Sequence, residues 1–242
     1  MKKIITINNP LLKPLYQHAQ ASEQYNIEVL SEIKTIEAIN NSKCDIALVS
    51  PLVFAIINKD HKFKIVKSNL LAIEDFSGEF TINIAPNKKK LATLYPETLN
   101  EFIIVCTKLV LSERFGIDVS IATKPQEADI ILSTEKEKYP DYIKLDLTED
   151  WFDTFEVPLV AGFWIANYEL YNKDIVDEIN SLSKNLDRTE NIISEQIGEN
   201  DYDKIGYKHW HWNDNFVGAL EKTFDLLYYR NFASYITDTI FL

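Results

Sequence analysis

The sequence predicts a mixed α/β protein built as two lobes, and three observations carry that prediction. Short apolar runs alternate with helically spaced ones over the first ninety residues, which is the rhythm of a mostly parallel sheet covered by helices. A second such alternation begins near residue 96. After it, residues 159–166 carry no polar side chain, as expected of a buried strand that crosses back to the first lobe.

Taken in order, residues 4–7, 27–30 and 45–49 read as strands, and 11–19, 33–39 and 53–57 as the helices between them. Residues 63–66, 70–73 and 80–84 supply further strands, the last suited to leave one lobe for the other. Pro96 and Glu97 favour a helix first turn. Leu99, Phe102, Ile103, Cys106, Leu109 and Val110 then follow at helical spacing, and Gly116 is the stop. Strands are expected at 119–121, 130–132 and 142–145. Thr148 is positioned to cap a short helix whose first turn holds Glu149 and Asp150, and Pro158 excludes helix before the strand at 159–166. Residues 174–197 have the polarity and spacing of one or two amphipathic surface helices. Another helix starts near Asp214, with Phe216, Leu220, Phe224 and Leu227 in its apolar stripe, and the end of the chain, Ile236 to Leu242, is expected to dock on the first lobe. Residues 1–82 and 167–242 would form lobe 1, and 83–166 lobe 2. This is the two-lobed type II periplasmic-binding-protein-like arrangement, with two crossing strands and C-terminal helices.

A chain of 242 residues with 46% hydrophobic and 26% charged content can bury a sizeable core. Cys44 and Cys106 are its only cysteines, which argues against a disulfide framework and for a reducing, cytoplasmic setting. The apolar run after Met1-Lys2-Lys3 stops at Asn8, too short for a signal sequence or a membrane span. Residues 1–121 hold 14 Lys/Arg and 13 Asp/Glu, leaving 11 and 24 for residues 122–242, so the halves carry +1 and −13. Nucleic acid is a poor partner for that surface. Lys88-Lys89-Lys90 reads as a solvated loop, with a minor anion site as the alternative.

No phosphate-binding loop, dinucleotide fingerprint, zinc-protease motif or nucleophile elbow occurs. His209 and His211 could place two imidazoles on one strand face toward a metal, but no third ligand follows at a suitable spacing, and aromatic packing at the start of the next helix is the favoured reading. Ligands of open α/β sheets bind beyond the carboxyl ends of strands. That rule selects Asn8, Asn9 and Ser50, for which turn and cap chemistry is the equally weighted alternative. A helix start at Thr98 would offer backbone N–H groups to an anion.

Asp146, Leu147, Trp151, Pro158 and Trp164, taken without a gap, resemble a segment of the chorismate dehydratases of menaquinone biosynthesis. The run Asp45-Ile46-Ala47-Leu48-Val49-Ser50-Pro51, the strand at 128–132 and the helix at 215–232 are similar to further parts of that family. The resemblance implies a cytoplasmic lyase without metal or organic cofactor. Such an enzyme removes a ring proton from chorismate and expels the hydroxyl, giving an enolpyruvyl-oxy benzoate. It implies catalytic roles for Asn9, with Asn8 as the alternative, and for Thr81, which reaches the family's serine position only with a one-residue shift from Ile82. Ser50, Thr98 and Thr134 would contact the substrate carboxylates. The family's Ser-Arg-Thr-Ser loop is replaced by Tyr95-Pro96-Glu97-Thr98, and its Gly-Asp by Ser133-Thr134. Loss of the arginine favours a second reading, a non-catalytic small-molecule binder of the same fold. An interaction domain using the acidic C-terminal helices is a third.

Overall fold

The computed structural model describes residues 2–20, 24–41, 44–135, 138–167, 174–183, 186–193 and 204–241. The chain divides into two units, unit 1 being Met1–Ala72, Val160–Glu190 and His209–Leu242, and unit 2 being Ile73–Leu159 and Asn191–Lys208. The sequence reading placed its divisions at 82/83 and 166/167 and kept all of 167–242 in lobe 1. Local contacts show why residues near 206 belong with unit 2. A Cβ on Gly206 would stand 1.8 Å from the Phe76 carbonyl oxygen, and Lys204 and Lys208 pair with Glu149 and Glu79 at 2.5 and 2.6 Å.

In unit 1, β1 (Lys2–Ile7), β2 (Tyr25–Leu30) and β3 (Ile46–Val49) lie parallel, with Ile4 opposite both Ile27 and Ile46. Ile4, Ile5, Thr6 and Ile7 are all buried, the pattern of a strand covered on both faces. The segment expected as a helix over 11–19 is instead a 3-10 helix at Pro10–Leu15 followed by α1 (Gln17–Gln20). Pro14 lacks the N–H that an α-helical ladder needs there. α2 (Glu32–Asn40) and α3 (Pro51–Ile57) are capped by Ser31 and Ser50.

β4 (Phe63–Asp75) is one strand of 13 residues where two were expected. The polar interval does not end it, because Ser68 and Asn69 are buried and bonded: Trp212 N–H donates to the Ser68 carbonyl at 3.1 Å, and Asn69 Nδ2 donates to Ser183 Oγ. β10 (Leu159–Asn167) runs antiparallel to β3, with Trp164 opposite Leu48. α6 (Ile175–Leu182) is followed by β11 (Thr189–Ile193), so the expected amphipathic helix ends early and Ile193 lies on a strand; Ile197 falls outside the described residues. The segment around His209, expected to pack around a helix start, is instead the strand β12 (Ile205–His211), and α7 (Asn215–Tyr229) starts at Asp214 as expected. The terminal segment docks on β4 through Ile65 N–H to the Ile240 carbonyl at 2.9 Å.

Unit 2 contains β5 (Thr81–Ile84), β6 (Thr93–Pro96), α4 (Glu101–Phe115), β7 (Ser120–Ile121), β8 (Ile130–Ser133), β9 (Ile143–Asp146) and α5 (Leu147–Phe155). Its five-stranded sheet has the order β7-β6-β8-β5-β9; the other sheet is seven-stranded, β11-β12-β4-β10-β3-β1-β2. Strand β6 was not foreseen. Pro96 ends that strand rather than opening a helix, Leu99 is 87% exposed, and α4 starts with Asn100 as its cap. Gly116 closes α4 at φ +66, where a left-handed residue satisfies the last carbonyls. The cap of α5 is Asp146 rather than Thr148, whose hydroxyl donates to Asp146 Oδ1 at 2.7 Å.

Between α4 and α5, Arg114 pairs with Asp150 at 3.1 Å and Asp153 at 2.9 Å. Burial pushes the Asp150 carboxyl up to about 6; Arg114 opposes the rise, and Glu149, Asp153 and Asp146 add to it. A carboxyl whose folded pKa exceeds its unfolded value favours the fold when protonated. Its contribution is full below the ordinary value of 3.8 and is lost as pH rises through about 6. Asp150→Asn, neutral throughout, should therefore gain on the order of 2 kcal/mol relative to the parent between about pH 4 and pH 7. Urea midpoints for both proteins across that range test this, and a constant difference between them would refute it.

Candidate functional site

The sequence places its candidates on two sheet edges, one in each unit, and each edge is built separately. In unit 1 the parallel register brings the carboxyl ends of β1, β2 and β3 side by side. Asn8 N–H donates to the Leu30 carbonyl at 2.6 Å, tying the loop after β1 to the end of β2, and its side chain is exposed. Asn9 is 2% exposed and caps the 3-10 helix, its Oδ1 accepting from Leu11 N–H at 3.1 Å. Its Nδ2 is buried and has no partner among the described residues.

Ser50, at the end of β3, is fully buried and uses its hydroxyl twice. Oγ accepts from Val53 N–H at 3.3 Å and donates to Glu32 Oε1. The cap reading of Ser50 therefore holds as a structural fact. Glu32 is the residue that the sequence reading missed. It is buried at 4% exposure, in the first turn of α2 and bonded to the cap of α3, so two helix N-termini favour its charge. The available signal was Ser31-Glu32 directly after an apolar strand, but its burial depends on Ser50, 18 positions away. Beside β3 runs β10, where a Cβ on Gly162 would meet Leu12 Cδ1 at 2.6 Å, so the segment after Asn9 packs closely on that strand.

In unit 2, Thr81 is the first residue of β5, opposite Ser133 on β8 and Asp146 on β9. It is 6% exposed. The parallel pair β6 and β8 ends on the same edge, with Glu97 N–H donating to the Leu132 carbonyl at 2.9 Å, so Thr81, Thr98 and Thr134 share one edge of this sheet. Thr98 is not at a helix start. Its Oγ1 accepts from Asn100 N–H at 3.2 Å, and the cap bond to α4 comes from Asn100 Oδ1, which accepts from Ile103 N–H at 3.1 Å. Thr134 is exposed.

Lys88 of the basic run pairs with Asp129 at 2.9 Å. That bond and backbone donation from Ala92 hold the Asp129 carboxyl down at about 2, against a smaller effect of burial. His209 Nδ1 lies 3.3 Å from Thr189 Oγ1, and His211 Nε2 lies 3.2 Å from the Leu186 carbonyl. Among the described residues no group of three His, Cys, Asp or Glu side chains is placed to hold a metal ion, and no helix is long and apolar enough to cross a membrane.

No family model matches the sequence, and no curated protein does. Solved structures do match. Protein AF1704 from Archaeoglobus fulgidus aligns with a TM-score of 0.57 at 12% identity, over 95% of this chain and 97% of that one. An ABC transporter from Parabacteroides distasonis aligns at 0.50 with 13% identity, over 75% of this chain and 71% of that one. A periplasmic substrate-binding protein of an ABC transporter from Coxiella burnetii aligns at 0.44 with 14% identity, over 76% and 92%. At such identities the likeness is one of fold. The chain has the mixed α/β, two-lobed, periplasmic-binding-protein-like fold that its sequence predicted.

Proposed function

We propose that this protein binds a small molecule at the carboxyl ends of the unit 1 strands, with Asn9 as the anchoring residue. One observation carries the reading: a buried amide nitrogen with no partner, in the loop where open α/β sheets take their ligands. Leaving such a donor unpaired costs about 1–3 kcal/mol, and a ligand carboxylate, carbonyl or hydroxyl oxygen accepting from Nδ2 recovers that cost. Asn8 and Ser50 flank it on the same edge.

The finer reading is that of a cytoplasmic, cofactor-independent chorismate dehydratase. Asn9 favours it, because the resemblance implies a catalytic asparagine in this loop. Thr81 would be the second catalytic residue, and Thr98 and Thr134 would contact the substrate. The two buried free cysteines are compatible with a reducing compartment. The loop Tyr95-Pro96-Glu97-Thr98, which lacks the family's arginine and adds a carboxylate, favours the alternative, a binder without turnover.

The test is to incubate the protein with chorismate and follow substrate loss and enolpyruvyl-oxy benzoate formation by mass spectrometry, with a thermal-shift titration in parallel. Turnover abolished by Asn9→Ala establishes the lyase. A thermal shift without turnover, weakened about 10-fold in Asn9→Ala, establishes the binder. An Asn9→Ala variant that binds as well as the parent removes Asn9 from the site.

A further inference from the structure

The Glu97 carboxylate in unit 2 is held in a way that the Asn9 reading does not use. Tyr139 OH donates to Glu97 Oε1 at 2.7 Å, and the Lys138 ammonium lies 2.9 Å from the same oxygen. Burial alone would raise the Glu97 pKa, but the bonds from Tyr139 and Lys138 oppose it, and the carboxyl lies below its ordinary value. Burial and the adjacent Glu97 push the Tyr139 phenol up to about 12, so it remains a donor at neutral pH.

Tyr139 belongs to a group of aromatic side chains. Tyr95, Tyr139 and Tyr142 pack against Ala122, Ala128 and Ile131, and the Tyr139 and Tyr142 rings are 5.3 Å apart. The Lys138 ammonium sits 6.0 Å from the Tyr139 ring centre while it pairs with Glu97. A carboxylate beside an aromatic ring favours a cation, and here a primary ammonium pairs with the carboxylate within reach of the ring. It is the removable part of the arrangement. The Lys138 side chain is 42% exposed and reaches in on a flexible stem, whereas Glu97 is 18% exposed and keeps its bond to Tyr139 without Lys138.

We propose that Glu97 and Tyr139 form a subsite selective for the primary ammonium group of a small amine, which takes its place by displacing Lys138. Glu97 also sets the specificity of this sheet edge against carboxylates, where an arginine would attract them.

The test is isothermal titration of the full chain with n-butylammonium chloride and, separately, sodium butyrate, for the parent, Lys138→Ala, Lys138→Met and Lys138→Ala/Glu97→Gln. Removing the resident ammonium should tighten butylammonium binding about 10-fold in both single variants without creating butyrate binding, and the added Glu97→Gln should abolish the gain. Lys138→Met keeps the stem, so a folding defect in one single variant does not spoil the experiment. Unchanged butylammonium binding in both single variants overturns the proposal, as does tight binding that survives Glu97→Gln. Neither outcome bears on Asn9, which the previous experiment reads independently.

Discussion

An Asp146→Ala variant is expected to lose on the order of 4 kcal/mol of unfolding free energy. The Asp146 carboxylate is 8% exposed and accepts five hydrogen bonds. Three come from the start of α5: Thr148 N–H at 3.0 Å, Glu149 N–H at 3.1 Å and the Thr148 hydroxyl at 2.7 Å. The other two come from the turn before β5, from Ser77 N–H at 3.4 Å and Gly78 N–H at 2.7 Å. Loss of a helix cap alone costs about 1 kcal/mol. Here the same truncation also strands donors at Ser77 and Thr148, both buried, and each unpaired group costs a further 1–3 kcal/mol or so. These costs are not additive in full, because the turn and the cap relax together. The helix so capped carries Trp151, fully buried with its ring 4.5 Å from that of Phe155, so fraying at the cap reaches the core. Asp146→Asn keeps one acceptor oxygen and should lose about half as much. Urea unfolding followed by tryptophan fluorescence measures both; an alanine variant within about 1 kcal/mol of the parent would show that the five bonds are replaced by water.

That result would also explain what the sequence could and could not reveal. Asp146, Leu147, Trp151 and Trp164 carry the family resemblance, and the structure gives each a scaffold role: the first is a cap, and the other three are fully buried. A motif of this kind reports a fold, which is why the two-lobed α/β architecture was legible. Strand and helix patterns were legible where the apolar residues mark the element locally, as a continuous run in β1 and β10 and at helical spacing in α4. They failed where one residue changes the geometry. Pro14 turns a helix into a 3-10 segment, and Pro96 sits at the end of a strand although proline equally suits a helix start. At the sites, the strand-end rule located Asn9 and Ser50 from their neighbours in sequence. Glu32, Tyr139 and Lys138 could not be found that way, because each is defined by a partner 18 to 42 positions distant.

Ser50→Ala is the second substitution expected to have a large effect, at about 2 kcal/mol of stability. The hydroxyl has one proton and two lone pairs. The proton is directed to Glu32 and one lone pair to Val53 N–H, so within unit 1 the side chain joins the start of α2 to the start of α3. Alanine removes the α3 cap and takes a donor away from a buried carboxylate, and a buried acceptor left short of its donor costs more than the hydrogen bond contributed. Glu32→Gln tests the electrostatic half of this argument. The amide still offers Ser50 an acceptor oxygen but carries no charge to desolvate, so it should lose less, about 1 kcal/mol. With Glu32 already neutral, adding Ser50→Ala should cost little beyond the cap, and the double variant should fall short of the sum of the singles by about 1 kcal/mol. Strict additivity would mean that Ser50 acts on α3 alone, and Glu32 would then have to be held by α2 and its surroundings without the hydroxyl.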